Sequence, residues 1–214
     1  MDGNRRFAKE QGLPTLEGHR QGLEKFLEVV RFVRDKKIPH AVFYAFSTEN
    51  WKRAEDEVAY LLQLFDGLLA RLDEELTEQG VRVRIIGRRT DFTPELQSRI
   101  AELEAKSAEF TATTIWIALS YGGRAEIIEA VNEAIVRGET VDDASFATLL
   151  WSAELPEPDM IVRTSGEARL SNFLTWHSAY SELYFIAKHW PALTKADLED
   201  ILMEYGRRSR RYGE

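Results

Sequence analysis

Apolar residues recur at helical spacing over residues 17–36, with Leu23, Phe26, Leu27, Val30 and Val33 on one stripe. A β-branched and aromatic run over 38–47 follows and predicts a strand. The helical period returns over 55–78 through Val58, Leu61, Leu62, Phe65, Leu68, Leu69 and Leu72, and Gly80 stops it. Residues 81–87 and 113–120 read as strands. Between them, Thr93-Pro94-Glu95 supplies an N-cap, an N1 proline and a first-turn acid for a helix running to about residue 109. A helix over 123–137 is closed by Gly138. Short apolar strands at 159–163 and 182–186 precede a last helix over 194–210.

Strands separated by helices of ten or more residues imply parallel pairing with right-handed crossovers. The expected fold is therefore α/β: a sandwich with a central, mostly parallel sheet flanked by helices. No linker, repeat or low-complexity stretch divides the chain, so residues 1–214 are expected to form one domain. In such sheets ligands sit beyond the carboxyl ends of the strands.

Composition narrows the function. Hydrophobic residues make up 44% and charged residues 30%, the balance of a globular protein with a sizeable core. The net charge of -8 argues against a nucleic-acid partner. If the ligand is an anion, arginines must be concentrated locally. The absence of cysteine excludes thiolate metal ligands and a cysteine nucleophile. No apolar run reaches the ~18 to 20 residues that span a bilayer, and no signal peptide precedes the first motif. A cytoplasmic setting is expected.

Four polar sets stand out. The first, Asp2-Gly3-Asn4-Arg5-Arg6, puts a carboxylate, a glycine and two arginines within five residues, with His19 downstream. Asp2 can hold Mg²⁺, a hard ion that takes one or two carboxylates plus substrate phosphates. Gly3 allows backbone N–H groups to approach phosphate oxygens. Arg5 or Arg6 can pair with phosphate in bidentate fashion. The second set is Phe46-Ser47-Thr48-Glu49-Asn50-Trp51-Lys52-Arg53, where Ser47 and Asn50 can orient a reacting group and Arg53 can hold a phosphate. The third joins Arg163 and Arg169, six residues apart, to Ser165-Gly166 and Ser171 as an anion cradle. In the fourth, Glu182 precedes an apolar strand and offers a second carboxylate for a metal. Each alone has a plain structural explanation: a charged terminus, a capped turn with Trp51 packed inside, a solvated loop, a strand-edge acid. Together they suit a diphosphate. No Ser-His-Asp arrangement or zinc spacing accompanies them, and His40, His177 and His189 read as packing or surface residues.

These segments resemble the motifs of the cis-prenyltransferase family. The Asp2 to Ala8 block, "YAFSTENWKR" at residues 44–53, "YGGR" at 121–124 and "IVRTSGEARLSNFLTWHSAYSELYF" at 161–185 occur in order, with Arg210-Arg211-Tyr212-Gly213 closing the chain. The resemblance implies a Mg²⁺-dependent transferase that condenses isopentenyl diphosphate with an allylic diphosphate such as farnesyl or geranylgeranyl diphosphate. By the same resemblance, Asp2 is the metal-binding catalytic aspartate. Gly3, Asn4, Arg5, Arg6 and His19 form the allylic diphosphate site. Ser47 and Asn50 lie near the reacting carbons, with Asn50 implicated in proton removal and Phe46, Trp51 and Arg53 completing the loop. Arg163, Arg169 and Ser171 form the isopentenyl diphosphate site, and Glu182 is linked to its metal. Arg211 and Gly213 reach the partner's active site in a homodimer.

Growth of a prenyl chain needs an apolar tunnel, for which the stripes on 23–33 and 58–72 are candidate walls. Each isoprene unit buries five carbons, worth roughly 3 to 4 kcal/mol at most. Ala45 and Thr113 fall where the family places residues that influence length. Both are small, so a medium or long product is expected, with peripheral membrane contact to deliver it. Against the family pattern, the apolar strand usually found before the Asp-Gly-Asn block is absent. Thr15 stands where bacterial relatives often have arginine, and Ala168 and Ser120 replace common polar residues. The competing readings are a truncated inactive copy, a non-catalytic partner subunit of a heteromeric prenyltransferase, and a phosphate-ester hydrolase.

Overall fold

The computed structural model describes the backbone of residues 1–77 and 80–208, and the side chains of these except 74–77. The order is α1 (Asn4–Glu10), α2 (Thr15–Asp35), β1 (His40–Ser47), α3 (Glu55–Thr77), β2 (Val81–Ile86), α4 (Pro94–Lys106), β3 (Thr113–Tyr121), α5 (Gly123–Arg137), α6 (Asp143–Ala147), β4 (Met160–Arg163), β5 (Glu182–Phe185) and α7 (Lys195–Arg207). The three strand pairs among the described residues are parallel; helices cross between the strands of β1-β3-β2, and a long turn-rich loop over 164–181 joins β4 to β5. Strand β3 is buried along its whole length and lies between β1 and β2. That explains the apolar run at 115–119 in its middle, since both faces are covered.

One face of β1-β3-β2 packs on α2, α3 and α4, through Leu27, Val30, Leu72, Ile100 and Ile115. The other face is covered by a smaller cluster around Trp116, Tyr121, Leu155 and Leu174. The α/β sandwich is thus present, but its sheet is in two parts. Strands β4 and β5 form a separate pair. Among the described residues β1 and β4 each keep one unpaired edge, and consecutive residues of both, 41–45 and 160–163, line one cavity of about 1770 Å³.

Several boundaries differ from expectation for local reasons. Strand β1 starts at His40, because the Ile38 N–H closes α2 by donating to the Val33 carbonyl at 3.0 Å. Pro39 has no N–H to give. Residues 4–10, to which the sequence pattern assigned no element, are helix α1. Gly3 turns the chain at φ 103° and the Phe7 N–H donates to the Gly3 carbonyl at 2.8 Å. Helix α6 was not expected; it is set by a reciprocal Asp142–Ser145 capping box. The anticipated tunnel walls are also corrected. Val29, Phe32 and Val33 of α2 line the cavity, but α3 contributes Leu61 alone, and the rest of its stripe is core. Helix α7 supplies Leu198, Ile201 and Leu202 instead.

Candidate active site

Asp2 sits where the first turn meets the end of β4. Its N–H donates to the Thr164 hydroxyl at 2.8 Å, and that hydroxyl donates to the Asp2 carbonyl at 2.7 Å. The Trp190 N–H donates to the same carbonyl at 2.9 Å. The backbone is therefore held from two sides and presents the carboxylate to the cavity. Arg163 Nη2 donates to Asp2 Oδ2 at 2.9 Å, and Arg6 Nη2 lies 3.3 Å from Oδ1. Partial burial alone would raise the pKa of Asp2. The Arg163 hydrogen bond and the two guanidinium charges outweigh it and hold the carboxyl below its ordinary range. Gly3 is required twice over: by its positive φ, and because a Cβ would come 2.6 Å from His189 Nδ1 and 2.7 Å from Ser165 Oγ. Asn4 tucks its side chain against Gly22 of α2, and its Oδ1 is buried without a hydrogen-bond partner among the described residues.

Arg163 links this carboxylate to the third polar set. Its Nη1 donates to Ser171 Oγ at 2.7 Å and also to the Arg169 carbonyl. Glu167 accepts from Arg6 at 2.7 Å and from Arg169 at 2.5 Å. Acidic side chains thus hold the arginines in place, and incoming phosphate oxygens can take over those donors.

Sequence reasoning missed Glu57, which organises the other side of the mouth. Its Oε1 accepts from Arg53 Nη1 at 2.9 Å and lies 3.3 Å from His19 Nε2. Its Oε2 lies 3.8 Å from Arg5. The available signal was the spacing of Arg53 and Glu57, one helical turn apart. His19 is buried, and burial pulls its pKa down despite the Glu57 charge.

Ser47 and Asn50 form a capping box that starts a 3-10 turn at the end of β1. The Ser47 N–H donates to Asn50 Oδ1 at 3.0 Å. That engages the side-chain oxygen of Asn50, a residue that lines the cavity. Phe46 and Trp51 support this turn and do not line the cavity. Phe46 is fully buried against Trp51 and Phe65, and the Trp51 indole donates to Ser120 Oγ at 2.8 Å.

The remaining expectations divide. Ala45 lines the cavity; Thr113 is buried at the start of β3 and does not. Glu182 does not meet Asp2 within the chain. In the parallel β4–β5 register it pairs with Met160, at the far end from Arg163, and its carboxylate takes Arg208 at 2.5 Å. Arg211 and Gly213 lie outside the described residues.

Comparison with known proteins shows the family and the fold. The sequence model of a prenyltransferase family, described as "Putative undecaprenyl diphosphate synthase", matches residues 1–213. The chain belongs to that family. Isoprenyl transferase of Thermotoga maritima is 43% identical, covering 100% of this chain and 94% of its own. The Aquifex aeolicus isoprenyl transferase is 39% identical, with 100% and 93% covered. The crystal structure of lavandulyl diphosphate synthase from Lavandula x intermedia, in complex with dimethylallyl diphosphate, superposes with a TM-score of 0.94 at 31% identity, covering 100% of this chain and 95% of that one. A probable undecaprenyl diphosphate synthase from Campylobacter jejuni gives 0.82 at 32% identity, with 91% and 93% covered. This prenyltransferase chain has no helix, among the described residues, long and apolar enough to cross a membrane.

Proposed function

We propose that this member of the family condenses isopentenyl diphosphate with an allylic diphosphate, farnesyl or geranylgeranyl diphosphate, to give a medium or long Z-polyprenyl diphosphate. One observation carries the reading. Asp2 and Arg163 meet at the mouth of a large, mainly apolar cavity, with Arg6, Arg169 and Ser171 around them. That arrangement suits a ligand with a diphosphate head and a hydrocarbon tail. The dimethylallyl diphosphate carried by the lavandulyl synthase supports an allylic substrate.

The chemistry follows from the donors. The allylic C–O bond breaks and its electron pair leaves on the diphosphate. The isopentenyl double bond attacks the freed carbon, a C–C bond forms, and a proton is then lost. Arg5, Arg6 and Arg53 supply donors where charge grows on the leaving group. Arg163, Arg169 and Ser171 hold the second diphosphate nearby. The Asn50 oxygen is engaged by Ser47, so its amide orients the reacting groups by donating hydrogen bonds.

Mg²⁺ fits this donor set. Among the described residues no three His, Asp or Glu converge, but one carboxylate plus substrate phosphates suffices for this ion. Asp2 would hold it, and once bound it supplies charge neutralisation on the departing diphosphate. Glu182 could join a metal only from another subunit. A homodimer is supported by the outer edge of β5, which is unpaired among the described residues and where Leu183 and Phe185 are about 40% exposed. A cytoplasmic setting with peripheral membrane contact suits release of a long apolar product. Incorporation of labelled isopentenyl diphosphate with farnesyl diphosphate and Mg²⁺ tests the proposal. Long products are expected, and phosphate release from simple esters without condensation would overturn it.

A further inference from the structure

Two glycines of the "YGGR" segment have no role in the chemistry above, yet a side chain at either would crowd its neighbours. A Cβ on Gly122 would come 2.6 Å from Thr48 Oγ1 and 2.7 Å from Asn172 Nδ2, and one on Gly123 would overlap Thr175. They let the loop after Arg169 sit directly on the first turn of α5. The loop is bent to do so: Ser171, Asn172 and Leu174 all have positive φ, at 48°, 68° and 45°.

Asn172 makes the contact. Its carbonyl accepts from the Gly123 N–H at 2.8 Å, and its Oδ1 accepts from the Arg124 N–H at 2.8 Å. It therefore caps α5 from a distant part of the chain. Its Nδ2 donates to Glu49 Oε1 at 3.0 Å. Only one amide orientation satisfies both side-chain bonds, since Arg124 offers an N–H and Glu49 a carboxylate. Glu49 lies in the turn between Ser47 and Asn50. Ser171, the neighbour of Asn172, bonds Arg163.

We propose that Asn172 is a positioning residue, pinning the loop that holds isopentenyl diphosphate to the turn that carries Asn50. This rests on the functional reading above and adds a coupling to it. Seating of the isopentenyl diphosphate sets the distance between the two reacting segments. The Glu49 bond is the informative one. An aspartate at position 172 tolerates positive φ and caps a helix as well as asparagine does, so it keeps the backbone role. It loses only the donor, and places a second carboxylate against Glu49.

Isothermal calorimetry with isopentenyl diphosphate and, separately, farnesyl diphosphate tests this on four proteins: wild type, N172D, E49Q and N172D/E49Q. Loss of a hydrogen bond to a charged group predicts roughly tenfold weaker isopentenyl diphosphate binding in N172D. Farnesyl diphosphate binding stays within about twofold. The double variant regains most of the loss, because the amide introduced by E49Q donates back to the carboxylate introduced by N172D. Steady-state kinetics show the same split, with KM for isopentenyl diphosphate rising more than KM for the primer. N172D binding as tightly as wild type overturns the pin, and so does a loss that E49Q does not repair. A wild type that binds no isopentenyl diphosphate overturns the functional reading and the pin with it.

Discussion

Arg163 Nη2 donates to Asp2 Oδ2 at 2.9 Å, across 161 positions of sequence. The same guanidinium reaches Ser171 through its other nitrogen. One side chain therefore spans the carboxylate proposed to hold metal and the hydroxyl proposed to hold the second substrate. A planar fork can do this, whereas a lysine ammonium on a flexible stem would lose one of the two contacts.

Asp2→Ala removes the proposed metal ligand and leaves Arg163 and Arg6 without their shared acid. Incorporation of labelled isopentenyl diphosphate is expected to drop roughly 100-fold or more. Its backbone bonds to Thr164 and Trp190 do not involve the side chain, so thermal unfolding should shift little. Activity unchanged in the variant would remove Asp2 from the mechanism.

Glu57→Gln discharges the acid that gathers Arg5, Arg53 and His19. The expected result is a rise of roughly tenfold in KM for the allylic diphosphate. KM for isopentenyl diphosphate should change less, since Arg163 and Arg169 do not touch Glu57. Equal effects on both substrates would show that Glu57 does not belong to one subsite.

Ala45→Leu adds three carbons to the cavity wall and is expected to shorten the product. Thr113→Val, a substitution of similar volume outside the cavity, should leave the length distribution unchanged. Chromatographic sizing of the products decides between them. No shift with Ala45→Leu would mean that the growing chain runs elsewhere.

Burial holds His177 and His19 below their ordinary pKa of 6.5. The unfolded chain therefore takes up protons near pH 6.5 while the native chain does not. The stability these groups contribute is present above that pH and is lost as pH falls through their lower folded values. Melting temperatures are expected to fall between pH 8 and pH 5. His177→Gln should narrow that fall, because His177 Nε2 meets Ser152 Oγ at 2.7 Å in a buried site beside Glu126. An identical fall in the variant would place the acid sensitivity in other groups.

The elements were readable where local rules and packing agree. Val83, Ile85, Ile115 and Ile117 form strands because both faces of the inner sheet are covered. Thr93-Pro94 starts α4 with the expected cap, Thr93 accepting from the Leu96 N–H. Helix α1 was not readable, because it depends on Gly3 turning beneath His189 and Ser165, which arrive from the far end of the chain. Glu57 looked like one acid among several at the start of α3. Its importance comes from His19 and Arg5, brought to it by the packing of α1 and α2.

The sequence by itself determined the family, the parallel α/β class and the residue types proposed to bind diphosphate. Those depend on residue identity and short spacing, which survive in one dimension. Tertiary structure alone decided which charges meet. It joined Asp2 to Arg163, separated Glu182 from both through the β4–β5 register, and put Phe46 in the core while Ala45 faces the cavity. Which residues of a strand reach the cavity depends on how its faces and open edge are covered, and an ion pair depends on through-space distance. Neither the buried face nor the partner is specified until the chain has folded.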